Sequence, residues 1–256
     1  MITVGIDSGS RNTKAVALQD GKIMGKAIVL TDFEPNKAAM QVYKMILDAV
    51  GIKPEDVTAV TSTGIGREGV NFAKANLTEA GSAVRGIRFV NSRVNTVIDL
   101  GAEGSRAVAL KPDGKVGKFA VNDRCATGAG AFVETMARAL QTTPEEMGPL
   151  AMRHTQKISM NTQCVVFAES EVISLIHKQT AAEDIAYAIH EGVALRISSL
   201  VRGVGIVDDV ALIGGPGNNI GLIQSLQNAL GNEIFVPEDP DYISALGAAI
   251  YAAGIA

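Results

Sequence analysis

Asp7-Ser8-Gly9-Ser10-Arg11-Asn12-Thr13-Lys14-Ala15-Val16-Ala17-Leu18 returns 92 positions later as Asp99-Leu100-Gly101-Ala102-Glu103-Gly104-Ser105-Arg106-Ala107-Val108-Ala109-Leu110. Both stretches read Asp-x-Gly, three further residues, a hydroxyl residue, a basic residue and Ala-Val-Ala-Leu. Apolar residues precede each of them (Val4 and Ile6; Val97 and Ile98), and Asp-Gly-Lys follows (Asp20-Gly21-Lys22; Asp113-Gly114-Lys115). Such flanks predict, twice over, a strand, a glycine turn, a second strand, a tight turn and a third strand. An internal repeat decides architecture before local propensities do, so the chain is expected to hold two related α/β lobes. A chain of 256 residues is long enough for two small lobes around a cleft.

The residue types in the hairpin suggest its chemistry. Glycine lets backbone approach a phosphate closely, and Ser10, Thr13 and nearby backbone N–H groups can donate to its oxygens. Asp7 and Asp99 are then expected to face each other across the cleft. A carboxylate beside phosphate is repulsive unless a divalent cation lies between them, which implies Mg2+. An isolated Asp at a strand end reads equally as a turn cap; repetition in register favours the site. Lys14 reads either as a phosphate contact or as a strand-edge charge facing solvent.

Other glycine clusters add to this. Ala211-Leu212-Ile213-Gly214-Gly215-Pro216-Gly217-Asn218-Asn219 predicts a strand ending in a glycine loop before a helix over Ile220 to Leu230, where backbone can lie against a nucleotide. Gly64-Ile65-Gly66-Arg67-Glu68-Gly69 follows the strand-like Val57 to Thr63 and formally fits a dinucleotide fingerprint, but lacks the following βαβ unit with its acidic residue. No Walker A sequence occurs. Duplicated Asp-x-Gly hairpins with a late Gly-Gly loop resemble the actin, Hsp70 and sugar-kinase superfamily (ribonuclease H-like lobes), whose members close two related lobes on ATP. The expected lobes are residues 1–85, completed by a C-terminal helix over 242–256, and residues 86–241.

Composition narrows the class. Hydrophobic residues at 47% and charged residues at 20% place the chain among ordinary globular domains. With 23 Lys+Arg against 27 Asp+Glu and only 4% aromatic residues, neither the basic surplus nor the stacking platform of a nucleic-acid binder is present. Met1 to Asp7 has no basic stretch and apolar core, and the run from Ala245 to Ile250 is too short to span a bilayer. The expectation is a cytoplasmic protein with no membrane partner, in which two cysteines are not a structural disulfide.

Those cysteines, Cys125 and Cys164, each precede a helical pattern: Phe132, Val133, Met136, Ala137 and Leu140 after the first, Val165 to Leu175 after the second. A helix N-terminus stabilises a thiolate and any anionic group bound to it. The small residues Ala126, Gly128, Ala129 and Gly130 leave room for something bulky. Two buried thiols behaving as small apolar residues fit the same features. An iron–sulfur cluster generally takes four protein ligands, a count that a twofold dimer with Cys125 and Cys164 of each subunit around one shared cluster would satisfy; a tetrahedral zinc site could be built the same way. Glu169 and Glu171 read as acids at a helix N-terminus. His154, His177 and His190 show no ligand spacing with either cysteine, and surface or helix packing is expected of them.

Asn122-Asp123-Arg124-Cys125-Ala126-x-Gly128-x-Gly130, together with Cys164-x-Val166-Phe167-Ala168-Glu169-Ser170-Glu171-Val172-Ile173-Ser174, closely resembles the activator ATPases of 2-hydroxyacyl-CoA dehydratases, a family that includes the ATPase subunits of ATP-dependent benzoyl-CoA reductase. The likeness runs from Gly5-Ile6-Asp7-Ser8-Gly9-Ser10, through Thr63-Gly64-Ile65-Gly66-Arg67, to Ala245-Leu246-Gly247-Ala248-Ala249. It implies a dimer sharing one [4Fe-4S] cluster through Cys125 and Cys164 of each subunit, with an ATP/ADP site in each cleft. It further implies that ATP hydrolysis drives a low-potential electron, taken from reduced ferredoxin or flavodoxin, into a partner dehydratase or reductase. Matched residue by residue, Ser8, Gly9, Ser10, Arg11, Asn12, Thr13 and Lys14 fall in the first phosphate loop. Gly101 and Ala102, after Asp99, fall in the second, and Gly214, Gly215 and Pro216 in the adenosine loop. Asp7 and Asp99 are the expected catalytic pair around Mg2+ and water. Two positions depart from the pattern: Gly101-Ala102-Glu103-Gly104 stands where the relatives usually read Gly-Gly-Gln-Asp, and Ala83 where they often have His. The alternative is a small-molecule (acyl or sugar) kinase of the same superfamily, with Asp99 as general base, which leaves the cysteines unexplained.

Overall fold

The computed structural model describes residues 1–122, 128–161 and 164–256. The first half of the repeat forms β1 (Ile2–Ser8), β2 (Asn12–Gln19) and β3 (Lys22–Leu30), followed by α1 (Pro35–Val50), β4 (Val57–Thr63), β5 (Ala75–Asn76) and α2 (Glu79–Val90). The second half forms β6 (Thr96–Leu100), β7 (Ser105–Leu110) and β8 (Val116–Asn122). Four helices come next, α3 (Ala129–Ala139), α4 (Pro144–Ala151), α5 (Val165–His177) and α6 (Ala182–Val204), before β9 (Val210–Ile213), α7 (Ile220–Leu230), β10 (Ile234–Phe235) and α8 (Ile243–Ile255).

The repeat is a repeat of topology. One sheet runs β3-β2-β1-β4-β5 and the other β8-β7-β6-β9-β10. In each, three antiparallel strands join a parallel pair. The turns close alike: Gly9 N–H donates to Asn12 O at 3.2 Å, and Gly101 N–H to Gly104 O at 2.7 Å. The strands predicted at 57–63 and 211–213 and the helix predicted at 220–230 all form. This is the duplicated α/β architecture that the internal repeat predicts.

Three apolar clusters hold it. α1 covers the first sheet through Val42, Ile46 and Leu47 against Val4, Ile6 and Ala17. Helices α3 to α7 bury Phe132, Met136, Met147, Ile185 and Ile189 against the second sheet. Between the sheets, α2 and α8 pack on each other, with α8 lying on β1, β2 and β4 and α2 against β6 and β7. The expected division at residue 85 therefore falls inside α2. The helices touch at glycines: a Cβ at Gly86 would lie 2.0 Å from Ile243 O, and one at Gly247 would lie 1.9 Å from Ser82 O. Among the described residues, no helix is long and apolar enough to cross a membrane.

Candidate active site

Where the two hairpin turns approach each other they enclose a cavity of about 630 Å3. Asp7, Gly9, Ser10, Arg11, Asn12 and Lys14 line it from the first sheet, Asp99, Gly101 and Ala102 from the second, and Gly214, Gly215 and Pro216 from the loop after β9. Pairing across each hairpin sets its charge. Asp7 stands opposite Lys14 and Asp99 opposite Arg106 in the two registers; Lys14 Nζ lies 3.7 Å from Asp7, and Arg106 donates to Asp99 at 3.1 Å. Lys14 is only 13% exposed, so it faces the cleft and not solvent. Burial pushes the Asp99 carboxyl above its ordinary value; Arg106 opposes this, while the nearby charges of Asp7 and Glu79 add to it. Asp7 and Asp99 thus share one electrostatic environment.

Ser8 and Thr13 do not line the cavity. Adjacent strand residues point to opposite faces, so with Asp7 and Lys14 directed into the cleft, their neighbours turn inward. Both are fully buried, and the Thr13 hydroxyl lies 3.0 Å from that of Thr31, which itself donates to Gly9 O at 2.8 Å. Ser105, the repeat mate of Thr13, is buried in the same way. The hydroxyl residue of the motif belongs to the hairpin's own packing.

The glycines of the third and fourth clusters also have steric work. Gly64, at φ 88°, lies where a Cβ would sit 2.5 Å from Asp7 Oδ1, and Gly66 N–H donates to Ser8 O at 3.0 Å. Gly214, at φ 90°, meets Leu100 O in the same manner after β9. The Gly64-Ile65-Gly66 sequence seats backbone on the first hairpin and is no dinucleotide fingerprint.

Cys125 lies outside the described residues. Cys164 is a free thiol, partly exposed, at the N-cap of α5 with no side-chain cap bond. The first-turn N–H groups of α5 adjoin that thiol, a setting that fits a thiolate bound to an anionic cluster. Among the described residues, no group of three or more His, Cys, Asp or Glu could hold a metal ion. Glu169 and Glu171, expected as acids at a helix N-terminus, lie beyond the first turn of α5, where the dipole effect has fallen off, and Glu171 accepts the N–H of Asn161 at 2.8 Å. The room expected around Gly128 and Gly130 is also filled. A Cβ at Gly128 would lie 2.4 Å from Ala102 O, and Gly130 and Ala131 donate to Gly101 O and Ala102 O at 3.2 and 2.9 Å. Helix α3, opening just after the segment that holds Cys125, is therefore bonded to the second hairpin turn. Arg11 of the first hairpin reaches the same helix, donating to Glu134 at 2.8 Å. His190 is fully buried in α6 with Nδ1 2.7 Å from Ala186 O; burial pushes its pKa down. His154 stacks on Tyr187.

Glu79, Arg106 and Glu134 also border the cavity and were not singled out from sequence. The repeat could have supplied Arg106, since it is the mate of Lys14. No local pattern marks the two glutamates.

The chain has the fold of the actin and sugar-kinase class; a glucokinase of the ROK family from Streptomyces griseus has the same fold at a TM-score of 0.61 and 16% identity, covering 99% of this chain and all of that one. Residues 4–252 match the BadF/BadG/BcrA/BcrD ATPase family, and the chain belongs to that family. It is 33% identical to the 2-hydroxyisocaproyl-CoA dehydratase activator of Clostridioides difficile (98% of this chain, 95% of that one) and 36% identical to the (R)-2-hydroxyglutaryl-CoA dehydratase activating ATPase of Acidaminococcus fermentans (98% and 96%). The structure of the former activator with bound ADPNP superposes at a TM-score of 0.95, covering all of this chain and 95% of that one.

Proposed function

We propose that this chain is an ATP-hydrolysing, iron–sulfur electron donor that activates a partner enzyme, a 2-hydroxyacyl-CoA dehydratase or an aromatic acyl-CoA reductase. Two copies share one [4Fe-4S] cluster through Cys125 and Cys164 of each. The carrying observation is the attachment of α3 to both hairpins: its first turn bonds to Gly101 and Ala102, and Glu134 holds Arg11. A nucleotide entering between the hairpins changes what they can bind and where they sit. Any such change passes to the helix that starts behind Cys125.

Within the cleft, Asp7 and Asp99 would hold Mg2+, directly or through water; that ion neutralises phosphate charge. Lys14 offers a cation to the phosphates, Gly9 to Asn12 and Gly101 to Ala102 cradle them, and Gly214 to Pro216 receive the adenosine. Cys125 and Cys164 are the cluster ligands, and the cluster supplies a one-electron carrier between reduced ferredoxin or flavodoxin and the partner. Nucleotide shifts the dimer only by its differential affinity for two geometries. Helix α5 supports the dimer. Only Ala168 and Val172 of its 13 residues are buried, while Val166 and Phe167 beside Cys164 are 64% and 66% exposed. A second copy covers such a surface.

Iron, sulfide and molar mass on anaerobically purified protein, with EPR of the reduced sample with and without ATP, test this. About four irons per dimer and a spectrum that ATP alters are expected, both lost in Cys164→Ser. A metal-free monomer that phosphorylates a metabolite would replace this reading with a kinase.

A further inference from the structure

A chain of contacts joins Asp7 to Asp99, and its middle belongs to neither hairpin. Glu79 opens α2 behind the Thr78 cap; one of its oxygens receives Arg106, and Arg67 stands 3.9 Å from the other. Arg106 continues to Asp99. Arg67 donates to Gly64 O at 3.0 Å, and Gly64 is the residue seated directly on the Asp7 carboxylate. From one sheet to the other the order is Asp7, Gly64, Arg67, Glu79, Arg106, Asp99. All three linking charges are largely buried, with side-chain exposures of 26%, 23% and 15% for Arg67, Glu79 and Arg106.

We propose that Glu79 is a positioning residue that sets the spacing of Asp7 and Asp99, and so fixes whether one divalent cation and one triphosphate can bridge the two hairpins. This rests on the reading of the cleft as a Mg2+–nucleotide site. Both oxygens of Glu79 face guanidinium groups, which leaves it suited to holding cations and not to taking a proton from water. Removing its charge takes away the anion that lies between Arg67 and Arg106 and leaves Arg67 with Glu68 at 3.9 Å and Arg106 with Asp99, so the charge link across the junction of the sheets is broken. Arg67 of the Gly64-to-Gly69 segment thereby joins the first hairpin to Glu79.

Calorimetric binding of ADPNP to the full chain, with and without Mg2+, tests it in wild type, Glu79→Gln and Glu79→Asp. Wild type is expected to bind ADPNP more tightly with Mg2+. In Glu79→Gln the metal-free affinity should stay within about twofold, while the tightening by Mg2+ falls about 10-fold to 100-fold, the range for loss of a group behind metal ligands. Glu79→Asp, which keeps the charge on a shorter arm, should recover part of the loss. Equal tightening in wild type and Glu79→Gln would overturn the inference while leaving the nucleotide site standing. Parallel loss of metal-free affinity, Mg2+ response and unfolding temperature would reduce Glu79 to a structural role and overturn it too. A wild-type chain that ignores Mg2+ would overturn the nucleotide-site reading together with this inference.

Discussion

At Asp184, near the start of α6, a single oxygen accepts the N–H groups of Thr155 and Gln156 at 2.7 and 2.9 Å, tying the chain after α4 to the head of α6. Bonds from Gln156 first and Thr155 second hold this carboxyl below its ordinary value of 3.8. The folded chain therefore binds that proton less tightly than the unfolded chain, and Asp184 stabilises the fold at pH above 3.8. Its contribution disappears as pH falls through the lower folded value. Asp184→Asn is expected to unfold more easily than wild type near neutral pH, with the difference closing in acid; thermal unfolding of both across pH checks it, and a gap independent of pH would refute it. Legibility at this scale followed the backbone period. A repeat in register marks Asp7, Lys14 and Asp99, whereas Thr13, expected to donate to phosphate, lies on the buried face because Lys14 beside it takes the cleft face. Asp184 and Glu79 are carboxylates whose partners lie 28 and 29, and 12 and 27, positions away in other elements, and no sequence period predicts that.

Helices α2 and α8 show what a hairpin repeat leaves unsaid. Both hairpins, the strands at 57–63 and 211–213 and α7 could be read because alternation, turn residues and the repeat agreed. The meeting of two helices 150 or more residues apart depends on Gly86 and Gly247, which carry no periodic signal. A Cβ at Gly247 meets backbone, which has no flexible end to move aside. Gly247→Ala should destabilise by about 1–3 kcal/mol or more, the usual cost of overpacking a tight core. Gly254, with nothing within 4 Å of a built Cβ, is the control, and Gly254→Ala should leave stability unchanged or slightly raised. Denaturant titration of the two variants separates the effects; equal stability would mean that the helices can slide apart freely.

Across the molecule, the second sheet differs from the first by the helices inserted between β8 and β9, and that insertion brings both cysteines to a fold otherwise shared with kinases. The glycine turns after β4 and β9 are equivalent in topology, yet lie 150 positions apart while the hairpins lie 92 apart, so sliding the sequence at one offset finds only the hairpins. The insertion is not a passive addition. Its first helix, α3, donates two backbone bonds to the second hairpin and accepts one side-chain bond from the first, so both sides of the cleft hold the helix that follows Cys125 in the sequence. The Arg11–Glu134 pair is half-exposed, at 54% and 34%, and such pairs add about 0–1 kcal/mol to stability. Glu134→Gln is therefore expected to leave iron content intact and to move the unfolding temperature by no more than about 2–4 °C. If the chain carries the proposed cluster, the same variant should blunt the change expected from ATP in the EPR spectrum of the reduced sample, because the ion pair by which the first hairpin holds α3 is reduced to a neutral hydrogen bond. An ATP response equal to wild type would assign the coupling to the Gly130 and Ala131 backbone bonds alone, and Gly128→Ala, which forces α3 off the second hairpin, would then be the variant that uncouples nucleotide from cluster.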